Sequence, residues 1–452
     1  MMQMVEVDRR AVLAGFGVGA VAVAANARIG APSAPHPRVR REIRDLERWF
    51  PDDLNRLKNA VAEMRKSRAG AMAWDKNAEI HSRRCGVPSG EIHRTLHFLP
   101  WHRAFLWATE RNLQHAIGDE TVSLAYWHWP VLGAVPASFR ATPLAHDRTR
   151  LDLFAHEYAF QSAMDSAEHY VGKIEEREGW PVVTQLGFGG YDVVPGPLSV
   201  LEGTPHGSVH NALGKDMGNI KWSPRDPLFF GHHANLDRMW ETWRGASHSA
   251  RRRTEPWQDR LFAETVFEFF DLATGKTRNL RVAEVSETAA LGYRYALPGE
   301  GVDGGQPVGT STSGQNQNEV PDPALLGVPL ASGDARIGLP TVAVSIAEEG
   351  KAKAILTVQG IQIPANQGGT VAIYLFDRKH GAFSPRRAAF VGTIGLVQQD
   401  TATEIAIALD VTTALRQFPI ESGRIGVAIV PVGQDDALSL AVSGYAIEIV
   451  PQ

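Results

Sequence analysis

From residue 41 the apolar positions of REIRDLERWFPDDLNRLKNAVAEMRK fall at three- and four-residue steps on either side of Pro51. That period belongs to a helix with one buried face, and a proline interrupts the helical hydrogen-bond ladder. The pattern therefore predicts helix, break and helix over 41–66. Similar spacing predicts helices over 101–117, 206–213 and 231–244. Between 260 and 296 the texture shifts, and TVFEFFD, RNLRVAEV and LGYRYAL read as short strands around turns. Residues 298–323, PGEGVDGGQPVGTSTSGQNQNEVPDP, are rich in Gly, Ser, Gln and Asn and have no periodicity, which reads as an exposed linker. Beyond it come TVAVSIA, AKAILTVQG, TVAIYLFD, AAFVGTIGLV, TEIAIALD, RIGVAIVPV and YAIEIV. Such β-branched runs between polar turns predict a β-sandwich over 324–452.

The N-terminus has a different pattern. Asp8-Arg9-Arg10 precedes the Ala/Gly/Val-rich run AVLAGFGVGAVAVAANA, and Ala25-Asn26-Ala27 suits cleavage after small residues. Residues 1–27 read as a twin-arginine-like export signal, which implies a periplasmic or secreted protein. No other span is long and apolar enough to cross a bilayer, so no membrane contact is expected after processing.

Composition narrows the chemistry. The length of 452 residues calls for more than one domain, and 44% hydrophobic with 21% charged residues is globular. A formal net charge of -4, without a long basic run, argues against nucleic acid and for a small-molecule partner. A single cysteine, Cys85, excludes an intrachain disulfide and any site built on several thiolates. A metal here must be held by nitrogen or oxygen.

Ten of the sixteen histidines fall in two windows, 81–128 and 206–233. His206 and His210 are four apart, so on a helix they share a face. His232 and His233 are adjacent, about 100° apart around a helix, so only one can point at the same ion. In the first window Pro100 suits the first turn of a helix. His102 then lies on the helix and His93 in the loop before it, with His81 as a third member. His97, His115 and His128 lack partner spacing and read as structural. Two all-imidazole sets without a nearby carboxylate suit a pair of copper ions better than magnesium, manganese or non-haem iron. Copper storage would need many thiolates or methionines, against one Cys and eight Met.

These residues carry a resemblance. His81, Cys85, His93 and His102 with Arg103 and Phe105, then His206 and His210 with Asp226, Pro227, Phe229, His232, His233, Asp237, Arg238 and Trp240, resemble the two copper motifs of the coupled binuclear copper family. That family comprises tyrosinases, catechol oxidases and haemocyanins, and the likeness is greatest to plant-type polyphenol oxidases. The resemblance implies a mainly α catalytic domain over 28–297, a four-helix bundle holding two copper ions, followed by the all-β sandwich. It implies His81, His93, His102, His206, His210 and His232 as ligands, and a thioether between Cys85 and His93. It implies oxidation of o-diphenols to o-quinones with reduction of O2 to water. Monophenol hydroxylation, o-aminophenol oxidation and oxygen carriage are the alternatives. Glu202 matches a glutamate that holds a water assisting phenol deprotonation. Gly207, Asn211 and Ile220 match positions that gate the substrate, with Ile220 in place of a bulky Phe. Asp237 is expected either to steady an imidazole from behind or to form a helix salt bridge. Tyr293 and Tyr295 match a structural motif closing the catalytic domain. The sandwich is expected to cover the entrance until a protease cuts the linker.

Overall fold

A computed structural model describes residues 37–67, 70, 73–85, 92–93, 97–129, 134–148, 174–177, 180–183, 206–245, 263–302, 331–337, 352–417, 425–432 and 438–451. The export signal at 1–27, Glu202, most of the linker and the run TVAVSIA lie outside the described residues.

The chain enters through strand β1 (Arg38–Arg40) and helix α1 (Ile43–Arg48). The Glu42 carboxylate accepts the Arg44 N–H at 2.6 Å and caps α1. Helix α2 (Pro51–Lys66) opens on the proline, whose missing N–H costs nothing at a first helical position. Leu54, Leu57, Val61 and Met64 form its buried face. Short α3 (Lys76–Ser82) and long α4 (Phe98–Ile117) follow, and α4 stops at Gly118 in the left-handed conformation. α4 starts two residues before Pro100, so the proline lies in its first turn. A hairpin of β2 (Ile174–Arg177) and β3 (Trp180–Val183), helix α5 (Ser208–Leu213) and helix α6 (Leu228–Gly245) complete this part. α4 packs against both α2 and α6.

The segment expected as short strands is mixed. β4 (Val266–Asp271) and β5 (Lys276–Arg281) pair as an antiparallel hairpin. The second half of RNLRVAEV instead forms a helical turn, α7 (Val282–Val285). Val282 and Val285, three apart, are both buried, and the Glu284 carboxylate accepts the Arg281 N–H at 2.7 Å. Strand β6 (Tyr293–Tyr295) then pairs in parallel with β1, so the two ends of the helical part lie side by side.

A buried polar network holds this closure. Glu110 takes Arg40 at 2.9 Å and Arg38 at 3.2 Å, and burial that would push its carboxyl up is outweighed by the two arginines, which hold it down. Asp237 accepts Arg103 at 2.5 Å on one oxygen and both Tyr293 and Tyr295 at 2.7 Å on the other. The Arg40 guanidinium sits 3.6 Å over the Tyr293 ring. Arg103 also reaches Glu241 at 2.8 Å.

The C-terminal part contains β7 (Ala331–Ile337), β8 (Ala352–Ile363), β9 (Gly369–Asp377), β10 (Ala388–Leu396), β11 (Thr403–Asp410), helix α8 (Thr412–Gln417), β12 (Ile425–Val432) and β13 (Gly444–Pro451). The strand order is β10-β9-β12-β7-β13-β8-β11. β7 joins the halves, antiparallel to β12 and parallel to β13. The halves share one apolar core, with Val371, Ile373, Val427 and Ile429 from one and Leu356, Val358, Ile407 and Ile447 from the other. This is a helical core followed by a β domain, as the sequence predicts.

Candidate metal centre

α3, α4, α5 and α6 carry six of the seven histidines that converge here, directly or at their flanks, and His93 comes from the loop between α3 and α4. One group is His81, Cys85, His93 and His102. The other is His206, His210, His232 and His233. Within each group one ligand-type atom of every member lies within 4.8 Å of the others, and all eight residues are buried. The groups touch: His102 stacks on His233 with ring centres 4.4 Å apart, and His93 on His206 at 5.4 Å.

Backbone carbonyls set three of these rings. His81 Nδ1 lies 2.7 Å from Ile220 O, His102 Nδ1 2.8 Å from Phe98 O and His210 Nδ1 2.7 Å from Met217 O. A carbonyl only accepts, so Nδ1 carries the proton and Nε2 offers a lone pair toward the interior. Burial first, then neighbouring imidazoles, hold His81, His102, His206, His232 and His233 well below the ordinary imidazole value, and burial brings His210 to about 4. The rings are therefore neutral at pH 7 and able to ligate. The buried Nε2 atoms of His81, His102, His206 and His232 have no hydrogen-bond partner, and His210 Nε2 stands 3.2 Å from His233 Nε2. So many inward lone pairs without donors fit metal ions at both groups.

The adjacent pair on α6 divides as helix geometry requires. His233 stacks on His102 and lies 4.1 Å from the Phe229 ring. The His232 ring neighbours are Trp129, His206, His210 and His233.

Other expected residues divide as follows. Glu202 lies outside the described residues. Gly207, Asn211 and Ile220 all meet the β domain. A Cβ on Gly207 would sit 2.5 Å from Gly395 O, Asn211 Nδ2 donates to Gly369 O at 2.9 Å, and Ile220 N–H donates to Gln398 O at 3.1 Å. Asp237 steadies no imidazole; its oxygens are held by Arg103, Tyr293 and Tyr295. His97 is outside both groups, beside Phe267, and burial brings it to about 3. Reasoning from sequence missed Phe98, whose ring lies 4.7 Å from His102 and 4.8 Å from His206. It also missed the Met217 and Ile220 carbonyls. Phe98 follows His97 directly in a histidine-dense stretch, a usable signal, whereas a carbonyl leaves none.

Residues 71–152 and 142–246 match the sequence profile described as the common central domain of tyrosinase. A chloroplastic polyphenol oxidase of Vitis vinifera is 25% identical over 80% of this chain and 65% of its own length. Tyrosinase HcTyr1 of Hahella sp. is 25% identical over 70% of this chain and 72% of its own. The structure of latent apple tyrosinase superposes with a TM-score of 0.63 at 20% identity, covering 92% of this chain and 97% of that one. Residues 71–246 carry the central domain of the type 3 copper tyrosinase and polyphenol oxidase family. The family binds two copper ions, and the two histidine groups offer donor sets suited to metal ions. The chain spans 65% of the grape relative and 56% of a second polyphenol oxidase, from Ipomoea batatas. No described helix is long and apolar enough to cross a membrane.

Proposed function

We propose that the chain oxidises o-diphenols to o-quinones, two diphenols reducing one O2 to two waters at a copper pair. The observation that carries this reading is the contact between two buried, histidine-rich groups through His102 and His233. Bound copper supplies the electron transfer between phenol and O2. His81, His93 and His102 would hold one ion, and His206 and His210 with one α6 histidine the other. For that last ligand we favour His233 over the His232 implied by the resemblance, because His233 faces both His210 and the first group. His233→Ala should then lower copper from two ions per chain to one, and His232→Ala should leave two.

The chain's own residues do the positioning. Three carbonyls fix ring direction, and Phe98 and Phe229 line the groups with apolar surface that excludes water. Glu202 is assigned the water that takes the phenolic proton. Cys85, within 4.8 Å of a His93 ring nitrogen, is assigned a C–S bond to that ring, its two displaced hydrogens passing to O2. A peptide pair two hydrogens light supports that link; an unmodified mass from active, copper-loaded protein rejects it.

The β strands against Gly207 and Asn211 support a covered entrance, opened by cleavage in 298–323 of an exported precursor. Copper-loaded protein assayed on catechol and on tyrosine, before and after clipping, tests the whole reading. Catechol turnover that rises on clipping is expected. Equal turnover of tyrosine makes the chain a tyrosinase, and reversible O2 binding without turnover makes it a carrier.

A further inference from the structure

The loop between α5 and α6 carries two of the three carbonyls that orient histidines. Met217 O takes His210 of the second group, and Ile220 O takes His81 of the first, three residues further on. The β domain is spliced to this loop at the same place. Gln398 N–H donates to Gly218 O at 3.3 Å, Gln398 O accepts Ile220 N–H at 3.1 Å, and Asn219 and Gln398 pair as a parallel bridge. Lys221 meets Asp400 at 2.9 Å. One turn before, the Gly207 and Gly395 backbones approach so closely that a Cβ on Gly395 would lie 2.7 Å from Gly207 Cα. Asn211 also donates to Leu396 O at 3.3 Å.

We infer that the end of β10 and the residues that follow it, 395–400, form a positioning element of the metal centre: they hold the 217–220 loop so that one carbonyl aligns an imidazole in each group. A cover needs only to lie over an opening. This contact is different, because it inserts a backbone rung between the two carbonyls that set His210 and His81. The β domain thus links the groups mechanically, and displacing it changes how firmly copper is held as well as what can enter. The inference rests on the copper reading above.

His102 is an internal control, since its carbonyl, Phe98 O, belongs to its own helix. Gly392 is a second control: it lies on the same strand, and a Cβ there meets nothing within 4 Å. The test uses the full chain with Gly395→Ala, Gly392→Ala and wild type. Copper retention is titrated with a copper chelator, and ring Nδ1–H signals are followed by 15N NMR of the metal-free protein. Gly395→Ala should release copper at roughly 10–100-fold lower chelator, as loss of a ligand-orienting partner does elsewhere. His81 and His210 should lose their protected Nδ1–H signals while His102 keeps its own, and Gly392→Ala should match wild type. A folded Gly395→Ala with wild-type copper retention and unchanged His81 and His210 signals overturns the inference. If Gly395→Ala does not fold, Gln398→Pro, which removes the N–H that Gly218 O accepts, is read in the same way. Wild type holding fewer than two copper ions would instead remove the reading on which the inference stands.

Discussion

The helical part and the β domain bury very different chemistry. Among the described residues, the buried charged and polar side chains run from Arg40 to Thr288, and Thr412 is the one such residue in the β domain. The β core is Val, Ile, Leu and Ala with three aromatic residues, Tyr374, Phe376 and Tyr445. A buried polar group is costly unless partnered, so the helical part depends on a few specific contacts, whereas the sheet depends on area and packing. The difference shows where sequence is constrained by chemistry and where by volume alone.

The largest effect should come from cutting the network at its hub. Asp237→Ala takes away the carboxylate shared by Arg103, Arg40, Tyr293 and Tyr295, leaving Arg40 to Glu110 and Arg103 to the partly exposed Glu241, and about 3–5 kcal/mol of stability should be lost in urea unfolding. Next comes acid. The metal-free protein should weaken as pH falls below about 6.5, because the unfolded chain binds protons at its histidines before the buried rings can. The stability these rings hold is present above that value. For His210 the loss should run down to pH of about 4, at about 1.4 kcal/mol per pH unit. Circular dichroism across pH 4–8 checks the sign, and flat stability would contradict it. A core change in the sheet should cost less: Ile373→Val, fully buried, about 0.5–1.5 kcal/mol. Smallest of all, Lys66→Ala removes an exposed pair with Glu63 on α2 and should stay within about 0.5 kcal/mol. If Ile373→Val rivalled Asp237→Ala, the contrast between the two parts would be broken.

Periodicity carried α2, which buries one face, and most strands, because β8 to β13 are rich in β-branched residues, whereas α4 and α6 are buried almost all round. β7 escaped because ASGDARI lacks an apolar run, although the strand joins the two halves of the sheet. The strand order also escaped, as it pairs β7 with both β12 and β13 across long stretches of chain. At the metal centre the histidine spacing was legible, including the ambiguity of His232 and His233. What held those rings was not legible, because any residue type supplies a carbonyl and only the fold decides which ones point inward. The positions expected to face substrate, Gly207, Asn211 and Ile220, also meet the β domain. Local spacing places a residue beside a ligand and says nothing of what arrives from 180 residues later.

The parallel pairing of β1 with β6 has a consequence for biogenesis. Arg40 reaches Tyr295 across 255 residues, so a chain emerging from the ribosome holds a buried-to-be guanidinium without its cradle until the helical part is almost fully translated. Contacts that distant are slow to form and leave the early segment available to chaperones meanwhile. A nascent chain halted before Tyr293 therefore lacks the strand that pairs with β1, though Glu110 is already made for Arg40.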